Sequence, residues 1–133
     1  MAVKVLDSWA LIALFEDEPA AEAVENILHR ATLDRDRLLL TVVNWGEIYY
    51  SIMRATSQKE AEAVMEKTAS LPIELVEADL ELTKQAAIFK ATKKLSYADA
   101  FAAALAKVKG AELVTGDPEF QEVEKEIKIS WLK

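Results

Sequence analysis

The 133-residue sequence contains no cysteine, which excludes disulfides, thiolate nucleophiles and zinc–thiolate sites. Its one histidine, His29, lies among Ile27, Leu28 and Arg30 in a stretch of helical periodicity. Histidine-centred mechanisms are thereby set aside, and His29 is expected to be a surface or half-buried structural residue. Glycine and proline number three each, and no linker, repeat or low-complexity tract is visible. No apolar run reaches the length that crosses a bilayer, and Met1 to Leu6 lacks the long apolar core of a signal peptide before the chain meets Asp7. A cytoplasmic protein with no membrane partner is expected.

What remains is an ordinary globular composition, 52% apolar and 29% charged, of a size that suits one compact domain over residues 1–133. The net charge of −7, from 23 acidic and 16 basic residues, argues by itself against a nucleic-acid partner, because phosphate binding relies on clustered Lys and Arg. That objection weakens if four of the excess negatives are committed to a cation. Basic residues do gather at Arg30, Arg35 and Arg37, read as a solvated face, and at Lys84, Lys90, Lys93 and Lys94, read as the better candidates for phosphate contact.

Strand and helix patterns alternate along the chain. Val3–Leu6, Leu38–Val42, Leu71–Val76, Glu112–Thr115 and Ile127–Leu132 read as short buried strands. Between them lie helical patterns over 8–15, 19–30, 44–54, 57–70, 79–92 and 97–108, with a short helix after Pro118. Ile48, Ile52 and Met53 are core candidates in the third of these, and Leu33 to Arg37 reads as a charged loop. The alternation predicts an α/β fold: a central parallel sheet of four to five strands between helical layers, joined by right-handed crossovers.

Asp7, Glu47, Asp99 and Asp117 each stand near a strand-to-helix junction. In open parallel sheets ligands bind beyond the carboxyl ends of the strands, so all four can face one edge. Gathered carboxylates raise one another's pKa and repel, and a fold that collects several has a cation to hold. An oxygen-only donor set favours Mg²⁺ or Mn²⁺ over zinc. Each acid also has a local reading: Asp7 and Asp117 as N-caps, Glu47 as the capping-box partner of Asn44, and Asp99 as that of Ser96. The functional reading therefore rests on the joint placement.

The segments Val5-Leu6-Asp7-Ser8-Trp9-Ala10-Leu11-Ile12, Asn44-Trp45-Gly46-Glu47, Leu95-Ser96-Tyr97-Ala98-Asp99-Ala100 and Leu113-Val114-Thr115-Gly116-Asp117 resemble, in order and spacing, the PIN-domain ribonucleases, most of all the small VapC-type toxins of toxin–antitoxin pairs. The resemblance implies a three-layer α/β/α PIN-like fold and a Mg²⁺- or Mn²⁺-dependent endoribonuclease, with Asp7, Glu47, Asp99 and Asp117 as catalytic acids and metal ligands. It implies a second-shell or substrate-orienting role for Ser8 and Thr115, an RNA substrate, an antitoxin partner and a homodimer. Asn44 stands where many relatives carry Thr or Ser. Trp9, Phe15, Trp45, Tyr49 and Tyr50 are core or helix-packing residues, some of them candidates for a protein-binding groove.

Four other readings compete with this one. A haloacid-type phosphatase needs a second Asp two residues after Asp7, where Trp9 stands, and a receiver domain needs a Lys where Thr115-Gly116-Asp117 stands. A non-catalytic PIN-like interaction module is disfavoured because all four acids are present. A stand-alone RNA-processing nuclease would differ from a toxin only in lacking an antitoxin.

Overall fold

Alternation of side chains across a strand, with period two, sends successive apolar residues of each strand here into opposite layers. The computed structural model of the chain describes residues 2–132. Its strands are β1 (Val3–Leu6), β2 (Arg37–Thr41), β3 (Ile73–Val76), β4 (Glu112–Thr115) and β5 (Ile129–Trp131), all paired parallel in the order β3-β2-β1-β4-β5. Val5, Leu39 and Leu113 pack into one apolar cluster, and Leu6, Leu38, Leu40 and Val114 into another.

The first cluster is closed by α5 (Leu80–Thr92), α6 (Tyr97–Lys109) and Phe120. The second is closed by α1 (Ser8–Phe15), α2 (Ala21–Asp34), α3 (Val42–Ala55) and α4 (Gln58–Ala69). The result is the expected three-layer α/β/α arrangement around a five-stranded parallel sheet. No helix among the described residues is long and apolar enough to cross a membrane.

Local chemistry explains most helix ends. Asp79, Ser57 and Ser96 accept the backbone N–H three residues on, as N-cap side chains do. Gly110, left-handed at φ 60°, ends α6.

Four expectations need correction. The helix expected to stop near Arg30 runs to Asp34, because residues 31–34 carry no breaker and the left-handed turn comes only at Arg35. The N-cap of α3 is Thr41, whose hydroxyl accepts the Asn44 N–H at 3.0 Å, so Asn44 lies inside the first turn. Met53 is exposed rather than core, since the α3 face that packs inward is that of Ile48 and Ile52. Strand β3 begins at Ile73, after Pro72, because proline has no N–H to give the ladder.

Phe120 lies in the 3₁₀ turn Pro118–Val123, directly after Asp117, and is fully buried. Truncation to Phe120→Ala is expected to cost about 3–5 kcal/mol in urea unfolding. A loss below about 1 kcal/mol would show that the turn closes without this anchor.

Candidate metal centre

Asp7 follows β1 and is the N-cap of α1. Its Oδ1 accepts the Ala10 backbone N–H at 3.0 Å, and its Oδ2 accepts the Thr115 hydroxyl at 2.5 Å. Thr115 ends β4, and the same hydroxyl oxygen accepts the Asp117 backbone N–H at 3.0 Å. One fully buried hydroxyl therefore ties the acid after β1 to the loop that carries the acid after β4. Asp117 in turn caps the 3₁₀ turn through Glu119 N–H at 2.9 Å. Carboxylate oxygens have more than one lone pair, so these caps leave acceptor capacity for a cation.

Asp99 enters from the first turn of α6, its N–H held by the Ser96 hydroxyl at 3.1 Å. Asp99, Asp117 and Glu119 can each offer an oxygen within 4.8 Å of the others. Asp7 and Glu47 lie outside that tightest group but border it. Asp99 feels the charges of Asp117, Glu47 and Glu119, and Asp7 feels those of Asp99 and Asp117. Two of the four expected acids, Asp99 and Asp117, thus meet, with Asp7 and Glu47 within electrostatic reach. Glu119, which the sequence analysis passed over, joins them. Its signal was its place two residues past Asp117, where the tight turn after Pro118 brings it back to the rim.

The electrostatics of the site are unfavourable to ionised carboxylates. Asp7 is 1% exposed and Asp99 8%. Burial pushes the Asp7 carboxyl up to about 7, against the hydrogen bonds from Thr115 and Ala10 that favour its charge. Asp99 is also pushed up to about 7, first by burial and then by its acidic neighbours. Among the described residues no Lys or Arg forms an ion pair with any of the five acids. Oxygen donors, excess negative charge and the lack of a basic partner together fit a hard divalent cation.

Other candidate residues make contacts of their own. Ser8 is buried, and its hydroxyl bonds Asn44 rather than an acid. Of the lysines proposed for phosphate contact, Lys90 donates to the Leu95 carbonyl at 2.8 Å and Lys93 pairs with Glu126 at 3.1 Å, so both are tied to the fold. The Trp9 indole lies against Gly116 so closely that any Cβ there would overlap its ring. Position 116 must therefore lack a side chain while Trp9 keeps its place. Trp45 and Tyr49 stack at 5.6 Å, while Tyr50 is exposed under the Arg54 guanidinium.

Comparison with known proteins gives the same picture. Residues 4–126 match the family described as PIN domain. None of the curated protein sequences matches the chain. Solved structures do. A chain of VapBC2 from Rickettsia felis, crystallised on a DNA fragment from its promoter, superposes with a TM-score of 0.79 at 12% identity, covering 98% of this chain and 99% of that one. A chain of DNA-bound VapBC from Salmonella typhimurium gives 0.73 at 20% identity, with 98% of each chain covered. VapC20 of Mycobacterium tuberculosis, described as a toxin that cleaves the sarcin–ricin loop, gives 0.64 at 15% identity, covering 83% of this chain and 86% of that one. At these identities the likeness is one of fold.

The raised carboxyls fix the direction of a pH effect. A folded-state pKa of about 7 for Asp7 and Asp99 means that the fold gains stability when these groups are protonated. That gain is complete below the ordinary carboxylate range and is lost as pH rises through about 7. The metal-free protein is therefore expected to melt at a higher temperature at pH 5.5 than at pH 8, and Asp7→Asn is expected to flatten the difference. A melting temperature that instead climbs from pH 5.5 to pH 8 without metal would contradict the assignment.

Proposed function

The chain belongs to the PIN-domain family, and on that premise we propose that it is a metal-dependent endoribonuclease of one domain spanning 1–133, the toxin of a toxin–antitoxin pair. The observation that carries the reading is the grouping of Asp99, Asp117 and Glu119, with Asp7 and Glu47 within electrostatic reach and, among the described residues, no Lys or Arg ion-paired to any of the five. Asp7 and Asp99 are the first choices as direct ligands, because they are the most buried and gain most from a cation's charge. Glu47, Asp117 and Glu119 complete the donor set. Thr115 orients Asp7 and the Asp117 loop together.

A bound Mg²⁺ or Mn²⁺ would supply charge to a scissile phosphate and lower the pKa of an attacking water. The protein's own part is to hold carboxylate oxygens near one another, with Asp7 and Asp99 buried where electrostatic interactions are stronger than in water. Water as nucleophile gives a 5′-phosphate and a 3′-hydroxyl, and makes no use of the RNA 2′-hydroxyl. Support for an antitoxin or a second copy as partner comes from the half-open aromatic face of α3, where Tyr50 and Met53 stay exposed, and from the VapBC complexes that share the fold. A cytoplasmic location goes with this reading.

Incubation with total RNA is expected to give cleavage with Mg²⁺ or Mn²⁺ and none with EDTA, with 5′-phosphates at the new ends. Asp7→Asn and Asp99→Asn should each lower the rate about a thousandfold, equivalent to about 4 kcal/mol of barrier, with the fold intact by circular dichroism. Metal-independent cleavage, or full activity in either variant, would overturn the proposal. Growth arrest on expression, relieved by a small neighbouring gene, would separate a toxin from a stand-alone nuclease.

A further inference from the structure

Four chain segments bring carboxylates to the site, and three of them, those of Asp7, Glu47 and Asp99, are distant in sequence and pushed apart by like charge. One buried side chain joins all three. Asn44 has no exposed surface. Its Oδ1 accepts the Thr41 hydroxyl at 2.6 Å, which fixes the side chain against the start of its own helix. Its Nδ2 donates to the Ser8 hydroxyl at 3.1 Å and to the Ala98 carbonyl at 3.1 Å. Ser8 closes the loop by donating back to the Asn44 carbonyl at 3.3 Å.

Each partner adjoins an acid. Ser8 follows Asp7, Ala98 precedes Asp99, and Asn44 itself lies three residues before Glu47, one turn earlier on α3. An amide suits this place because it offers one acceptor and two donors in a rigid plane. A Thr or Ser hydroxyl has a single hydrogen and cannot donate to Ser8 and Ala98 at once. No buried side-chain nitrogen or oxygen among the described residues lacks a partner, so every buried polar atom of this network is satisfied.

We propose that Asn44 is a positioning residue that sets the spacing of Asp7, Glu47 and Asp99 for a divalent cation without touching it. The proposal rests on the metal-dependent reading given above. Groups that orient metal ligands commonly change affinity by 10–100-fold when removed. Metal-free Asn44→Ala and Asn44→Thr proteins should therefore remain folded. By calorimetric titration with Mn²⁺ alone, the dissociation constant should rise at least about tenfold for Asn44→Ala and by less for Asn44→Thr, which keeps one donor. The Mn²⁺ concentration for half-maximal RNA cleavage should move in parallel, and saturating Mn²⁺ should restore most of the rate.

A purely structural role would lower the melting temperature and leave the Mn²⁺ constant of the folded protein unchanged. That result in either variant overturns the proposal, as does loss of the fold in both. If the wild-type protein itself binds no Mn²⁺, the metal-dependent reading fails first and this one with it. Wild-type binding with unaltered variants removes only the role of Asn44.

Discussion

A carboxylate with 1% of its surface exposed is costly to hold ionised unless something offsets the lost hydration. Asp7 has two hydrogen bonds for this purpose, from Ala10 and Thr115, and they do not suffice: its carboxyl still sits at about 7. The surrounding structure adds Asp99 and Asp117 to the same region, which raises the energy of the charged state further. Such an arrangement is tolerable in a fold whose remaining core is tightly apolar, and here two apolar clusters flank the sheet. The strain that they support is electrostatic rather than steric, and a divalent cation would relieve it in one step.

The convergence follows from topology. In the order β3-β2-β1-β4-β5, the chain moves outward from β1 to β2 and β3 on one side, then returns to place β4 on the other. A parallel sheet has its crevice where that reversal occurs, beside the carboxyl end of β1. Asp7 leaves β1 at that point and Thr115 leaves β4 there, which is why their side chains can meet across a separation of 108 residues. Helix α6 brings Asp99 by its N-terminal end, where the helix dipole favours a negative charge. Strand positions therefore choose the location, and helix N-termini present Asp7, Asp99 and Asp117 there, with Glu47 one turn further along α3.

Much of this was legible in the sequence. The strand cores Val5-Leu6, Leu38-Leu39-Leu40 and Leu113-Val114 are short apolar runs, and the capping residues Ser57, Asp79 and Ser96 mark their helices. The four acids were legible because each sits at a junction whose local pattern was clear. Glu119 was not, since its contribution depends on the tightness of the turn after Pro118 rather than on any strand end. The spacing of Asn44 to Glu47 imitates a capping box, the local alternative for Glu47, whereas Thr41, one turn earlier, is the cap. The lysines before Asp99 looked like phosphate contacts by clustering alone. Lys90 and Lys93 prove to be tied to the backbone and to Glu126, relations that only the packing of α5 and the chain beyond Phe120 creates.

Those engaged lysines bear on how an acidic protein could hold RNA. With a net charge of −7 and two of its clustered lysines occupied internally, the surface offers little of the counterion-releasing contact that drives most nucleic-acid binding. Affinity for a phosphodiester would then come mainly from the cation in the crevice, so substrate binding and metal binding become one event. On the proposed reading the acids would have two duties, to hold the ion and, through it, to hold the substrate. A small shift in their spacing affects both at once. A rigid hydrogen-bonded tie between the segments that carry them is accordingly worth more in this chain than it would be in a basic nuclease, where surface cations would hold the RNA independently of the metal.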